Sequence, residues 1–228
     1  MTTDRAAKTA LNEQFARIGK ALSSPRRIEL LDLLAQSERP VESLAAASDM
    51  SVALASSHLQ ALRAARLVEA RRDGQRVYYR LAGDDVYRLL SVLRDAARAR
   101  LAELEVAVVA YLETPDELEP VTRGELWDRA RSGAVTILDV RPREEYLAGH
   151  IPGALSVPLG ELGELLTRLP SEAEIIAYCR GPYCVLAPQA VALLRSHGHA
   201  ARRLADGFPE WRLAGLPIAV GPAAGTPA

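Results

Sequence analysis

The chain has little cysteine, two residues in 228, and little histidine, four residues. Two cysteines cannot build a multi-bridge disulfide framework. Nor can they alone supply the four ligands of a structural zinc site. Both lie in one short stretch, AYCRGPYCVLA, as Cys179 and Cys184. Long apolar runs are missing as well. No stretch of 18 or more apolar residues occurs, so no membrane-spanning helix and no membrane partner are expected. The start of the chain, MTTDRAAKTALNEQFARIGKAL, mixes charged with apolar residues and lacks the apolar core of a secretory signal. The expected location is the cytoplasm, where a thiol pair is more often catalytic or redox-active than a structural disulfide. Lysine is confined to Lys8 and Lys20, which reads as genome composition bias.

The net charge of −1 hides an uneven distribution. Residues 1–82 carry 13 basic and 9 acidic side chains, a balance of +4. Residues 83–120 carry 4 and 9, a balance of −5, and residues 121–228 carry 11 of each. A basic front, an acidic middle and a neutral back suggest separate tasks.

In the front part, Leu11, Phe15, Ile18 and Leu22 recur at helical spacing over about 9–22. Pro25 suits the first turn of a second helix with Ile28, Leu31 and Leu34 on one face. VESLAAAS forms a third short helix. After a turn at Asp49 and Met50, Ser51 caps a fourth, SVALASSHLQALRAA, with Val52, Ala55, Leu59 and Leu62 as its buried stripe. LVEARRDGQRVYYRLA then reads as a hairpin around Asp73-Gly74. A long helix over about 84–112 follows, with Val86, Leu90, Leu93, Ala97, Leu101, Leu104 and Val108 on one side. No nearby segment covers a helix of that length, which points to a partner chain.

Three helices, a fourth with a polar face and a basic hairpin form the order of a winged helix-turn-helix. A helix entering the major groove needs short hydrogen-bonding side chains toward the base edges. Ser56, Ser57, His58 and Gln60 supply them, while Arg63, Arg71, Arg72 and Arg76 would meet phosphates from the helix and the wing. The segment from ALSSPRRIELL to GQRVYYRL, and SSHLQALRAARLVEARRDGQRVYYRL above all, resembles the arsenic-repressor (ArsR) family of homodimeric transcriptional regulators over about residues 9–112. The resemblance implies a double-stranded DNA operator and a dimer interface made by the first and last helices. Members of that family often sense metals through cysteines near the third helix or His/Asp clusters on the dimer helix. VESLAAASD has no cysteine and residues 84–112 have no histidine, so those sites are missing and no metal is expected.

The pattern changes after ETPDELEP, an acidic stretch with two prolines that reads as a linker. GELWDRAR is a helix, AVTILDV and EIIAYC are buried strands, LAPQAVALLRSHG is a helix and AARRL begins a further strand. This alternation argues for a parallel sheet with helices on its faces. Cys179 follows a strand and precedes a helix. A thiolate nucleophile there needs positive potential, which backbone N–H groups and a helix N-terminus provide. Arg180 could add a charge, while Pro182 removes one N–H from the loop. Phosphatase or arsenate reductase chemistry by a Cys-x5-Arg loop is disfavoured, because Val185 stands where the arginine clamp would be.

ILDVRPREEYLAGHIPGALSVPLGEL, IIAYCRGPYCVLA and GFPEWRLAGLPI together resemble the rhodanese family of sulfurtransferases over about 121–219. The resemblance implies that Cys179 accepts a sulfane sulfur as a persulfide and hands it to a thiol, with no metal or cofactor required. Cys184 is extra to that pattern and is a candidate resolving thiol. Asp139, Arg141, His150 and Trp211 are expected to be structural, and His197 and His199 to lie at a helix end.

The expectation is therefore two domains: a mainly α winged helix-turn-helix, then an α/β rhodanese domain with a parallel sheet. The boundaries are 1–113, a linker at 114–120, 121–221 and a flexible tail at 222–228. The expected function is a homodimeric DNA-binding regulator that senses or transfers sulfane sulfur through Cys179, Arg180 and Cys184. The alternative is a sulfurtransferase whose helix-turn-helix only localises or dimerises it.

Overall fold

The computed structural model describes residues 2–112, 119–166, 169 and 173–222. The expected linker falls largely on 113–118 and the expected tail on 223–228, which lie outside the described residues. The chain divides into two compact units, Met1–Leu93 and Arg94–Ala228. Among the described residues no helix is long and apolar enough to cross a membrane.

The first unit opens with helix α1 (Thr2–Leu22) and helix α2 (Pro25–Gln36), the latter with Ser24 at its N-cap and Pro25 in its first turn. Strand β1 (Arg39–Pro40) and helix α3 (Val41–Ala47) follow. Helix α4 (Val52–Ala64) starts where the Ser51 hydroxyl accepts a hydrogen bond from the Leu54 N–H. This satisfies one of the N–H groups that a helix start leaves without an intrahelical partner. Strands β2 (Val68–Asp73) and β3 (Arg76–Leu81) form the wing, paired antiparallel from Val68↔Leu81 to Asp73↔Arg76. The turn itself is Gly74-Gln75, one residue beyond the Asp-Gly reading, with Gly74 at φ +58°. β1 adds a third strand to give the order β1-β3-β2, which the sequence reading missed. Pro40 is tolerated there because β1 is an edge strand.

Leu30, Leu31, Leu44, Leu59 and Leu62 make the centre of this core. Each such side chain contributes about 1.5–3 kcal/mol on burial. Val52 does not join them: it is 47% exposed at the first position of α4, ahead of the packed turns. On α1, Leu11 and Phe15 are also exposed.

The long helix expected over 84–112 is two helices, α5 (Asp84–Arg100) and α6 (Ala102–Leu112). The step lies at Leu101, where the Leu104 N–H bonds to the Leu101 carbonyl, three residues back instead of four. α5 buries Val86, Tyr87 and Leu90. α6 buries no residue and leaves Val106, Val109 and Tyr111 exposed.

The second unit continues with α7 (Arg123–Arg131), β4 (Val135–Asp139), α8 (Arg143–Ala148), β5 (Leu155–Ser156), α9 (Leu162–Leu165), β6 (Glu174–Tyr178), α10 (Leu186–Ser196), β7 (Ala201–Arg203) and α11 (Phe208–Leu213). The strands form one parallel sheet in the order β5-β4-β6-β7. The alternation of side chains along β6 explains the two cores. Ile175, Ala177 and Cys179 point to the face packed by α10. Ile176 and Tyr178 point to the other, with Leu126, Tyr146, Phe208 and Trp211. Cys179 thus continues the pattern of a central strand and emerges at its carboxyl end, where open α/β sheets place their ligands.

Candidate functional site

On the first unit, a surface groove of about 370 Å³ is lined by Ser56, Gln60 and Arg63 of α4 and by Ala70, Arg71, Arg72, Val77 and Tyr79 of the wing. It brings together five of the eight residues expected to meet DNA. Ser57, His58 and Arg76 lie outside it. Ser57, Gln60, Arg63, Arg72 and Arg76 are exposed, while Ser56 and His58 are half-buried. Arg71 is already engaged. Its Nε and Nη2 donate to the Glu38 carboxylate at 3.2 and 3.3 Å, and its Nη1 to Asp73 Oδ2 at 3.1 Å. Its guanidinium also lies 4.8 Å from the centroid of the Tyr78 ring. A phosphate reaching Arg71 would compete with Glu38, a residue that sequence reasoning did not single out.

On the second unit the two cysteines begin and end the turn between β6 and α10. Cys179 is buried, 2% exposed, while Cys184 is half-buried, and both are free thiols. The Cys184 N–H bonds to the Gly181 carbonyl at 3.1 Å, which closes the turn. Backbone donors alternate between the sulfurs. Gly181 and Ala187 serve Cys179, and Arg180 and Leu186 serve Cys184. The Cys179 thiol itself points at the Cys184 carbonyl at 3.6 Å and the Gly181 carbonyl at 3.8 Å. Burial, and then the neighbouring Cys184 thiol, push the Cys179 thiol well above its ordinary value. The neighbouring Cys179 thiol is in turn the first cause that lowers Cys184 to about 7, and it outweighs burial there. N–H groups of Arg180 and Leu186 and the Arg180 charge add to the lowering. Of the two thiols, Cys184 is therefore the one whose surroundings favour the thiolate.

Arg180 does not point into this cradle as a free charge. Its Nε donates to both oxygens of Glu145, at 2.9 and 3.1 Å, and Nη2 completes the pair. The Glu145 side chain has no exposed surface. Beneath the loop, Asp139 is fully buried and accepts from the Arg141 backbone N–H at 3.0 Å, Arg141 Nε at 2.9 Å and the Tyr178 hydroxyl at 2.6 Å. The Tyr178 hydroxyl accepts from the Ile151 N–H at 3.1 Å. These bonds fix the end of β6, so Asp139 and Arg141 are structural supports. His150 is likewise buried, stacked on Tyr146 with ring centroids 3.7 Å apart, and burial lowers its pKa. Trp211 is buried and donates Nε1–H to the Pro217 carbonyl.

The loop has a further wall that the cysteine pattern did not reveal. Gly207, ahead of α11, lies so close that an added Cβ would fall 2.2 Å from the Gly181 nitrogen. The Phe208 N–H bonds to the Cys179 carbonyl at 3.1 Å. The only signal for this in the sequence was the GFPEW motif. Among the described residues, no group of three or more His, Cys, Asp and Glu is placed to hold a metal ion.

Residues 24–70 match the family described as bacterial regulatory protein, arsR family, and residues 122–214 match the rhodanese-like domain. An HTH-type transcriptional regulator of Mycobacterium tuberculosis is 52% identical over 211 residues, 92% of each chain. A human thiosulfate:glutathione sulfurtransferase is 35% identical over 104 residues, 40% of this chain and 90% of its own length. A homodimeric winged helix-turn-helix DNA-binding domain of Mycobacterium bovis, solved in solution, is 52% identical. The match covers 42% of this chain and 89% of that one, with a TM-score of 0.40. The chain belongs to the ArsR family of bacterial regulatory proteins, as a DNA-binding regulator fused to a C-terminal rhodanese domain.

Proposed function

We propose that this regulator changes its affinity for an operator when sulfane sulfur is taken up at Cys179 and resolved by Cys184. The observation that carries the reading is the thiol pair itself: two free thiols that begin and end one tight turn, with the Cys179 thiol 3.6 Å from the Cys184 carbonyl. Cys179 Sγ attacks the outer sulfur of a persulfide RS–SH, its proton going to the departing RS⁻. The new S–S bond forms as the RS–S bond breaks. Cys184 then attacks Cys179 Sγ, its proton going to the departing HS⁻. Two thiols are oxidised to a disulfide, and the sulfane sulfur is reduced to sulfide.

DNA contact falls to Ser56, Ser57, His58, Gln60, Arg63, Arg71, Arg72 and Arg76, as base-edge and phosphate partners. A second copy of the chain covers the exposed apolar side chains of α1, α5 and α6, and the protein works in the cytoplasm, where its thiols stay reduced. The working division is 1–113 for DNA binding and dimerisation and 121–221 for sulfur chemistry. The human relative's name supports a second reading, a sulfurtransferase that uses thiosulfate or a persulfide as donor and a small thiol as acceptor. Steady turnover indifferent to DNA would favour it.

Intact mass spectrometry after treatment with glutathione persulfide tests the chemistry. The parent is expected to end as an internal disulfide. Cys184→Ser should retain one added sulfur, and Cys179→Ser none. Sulfur retained on Cys179→Ser, or an unchanged parent, would overturn the assignment.

A further inference from the structure

Tyr183 lies between the two cysteines, and neither step of the sulfur chemistry uses it. Its place is nevertheless defined. Arg98 Nη2 donates to the Tyr183 hydroxyl at 2.9 Å. The Arg98 guanidinium is 5.4 Å from the ring centroid and that of Arg94 is 5.9 Å away. Cationic groups within about 6 Å of an aromatic face are attracted to it. Both arginines stand on the second half of α5, whose first half buries Val86, Tyr87 and Leu90. In sequence, α5 follows directly on wing strand β3, with only Ala82 and Gly83 between.

We propose that Tyr183 is the contact through which the state of the two thiols is passed to helix α5, gripped there by Arg94 and Arg98. The proposal rests on the sulfur-sensing reading and names its route. A disulfide brings two sulfurs to about 2.05 Å. The segment between them is only Arg180-Gly181-Pro182-Tyr183, and the Pro182 ring fixes one of its torsions. Closing the bond therefore acts on a short, stiff segment that ends in the tyrosine the arginines hold. Coupling of this kind is reciprocal: if thiol chemistry alters DNA affinity, DNA must alter the thiols.

Reciprocity allows a test that does not depend on sulfur loading. The dithiol–disulfide equilibrium of Cys179 and Cys184 is measured by mass in glutathione redox buffers, in the full chain, with and without a duplex carrying the region upstream of its own gene. In the parent, the duplex is expected to change that equilibrium constant about fivefold or more. Arg98→Ala should bind the duplex yet show no change in the constant, while Arg98→Lys, which keeps a cation over the ring, should restore part of it. A parent equilibrium indifferent to bound duplex, or an Arg98→Ala variant that responds as the parent does, would overturn the route. If the coupling appears but glutathione persulfide leaves no mark in the mass spectrum, the sulfur reading fails and the route from loop to helix stands.

Discussion

At Cys184 the neighbouring Cys179 thiol, two backbone N–H groups and the Arg180 charge all favour a thiolate, and only burial opposes them. The outcome, a pKa lowered to about 7, makes the charge of the pair sensitive to small changes of pH. Alkylation of Cys184 should rise through a midpoint near pH 7 and level off above it, because the thiolate is the reacting form. Cys179→Ala removes the first of the causes, so the midpoint must move upward. At pH 7 the rate should then fall roughly fivefold for a shift of one unit. A parent midpoint at the ordinary thiol value would contradict the account. Arg180 contributes from a distance because Glu145 holds its side chain. Truncating it leaves a fully buried carboxylate without its bidentate partner, at a cost of about 3 kcal/mol, read from a thermal or denaturant melt.

Among the elements, the thiol turn is shaped less by its own residues than by what packs on it. Gly207 approaches the Arg180-Gly181 peptide too closely for any side chain. Its φ is −118°, so close approach, not backbone conformation, requires the glycine. Gly207→Ala should displace the turn, destabilise the chain by about 1–3 kcal/mol and slow the uptake of sulfur. An unaltered melt together with unaltered uptake would show that the turn is not braced there. This brace illustrates what the sequence could and could not convey. Ser51, the wing and the strand into Cys179 were legible because capping, turn chemistry and apolar periodicity are local. The Glu145–Arg180 pair, the Arg98–Tyr183 contact and the Gly207–Gly181 approach join residues 26 to 85 positions apart, and no local pattern encodes them. The break at Leu101 was hidden because its apolar spacing continues unbroken through the step. Val52 was misread because a helix's first residue shares the periodicity of the stripe without sharing its cover.

The whole molecule joins a winged helix-turn-helix unit, with arginines of α4 and the wing around one groove, to a unit whose parallel sheet delivers two thiols to one turn. If the thiol unit controls the helix-turn-helix, DNA affinity must follow the state of Cys179. The full chain is titrated onto a duplex from the region upstream of its own gene, at one fixed salt concentration because phosphate contacts make affinity salt-dependent. The titration is run before and after treatment with glutathione persulfide, with Cys179→Ser alongside. An affinity change of about fivefold or more is expected in the parent and none in Cys179→Ser. Equal affinity of the treated and untreated parent, with sulfur chemistry confirmed by mass, would contradict it.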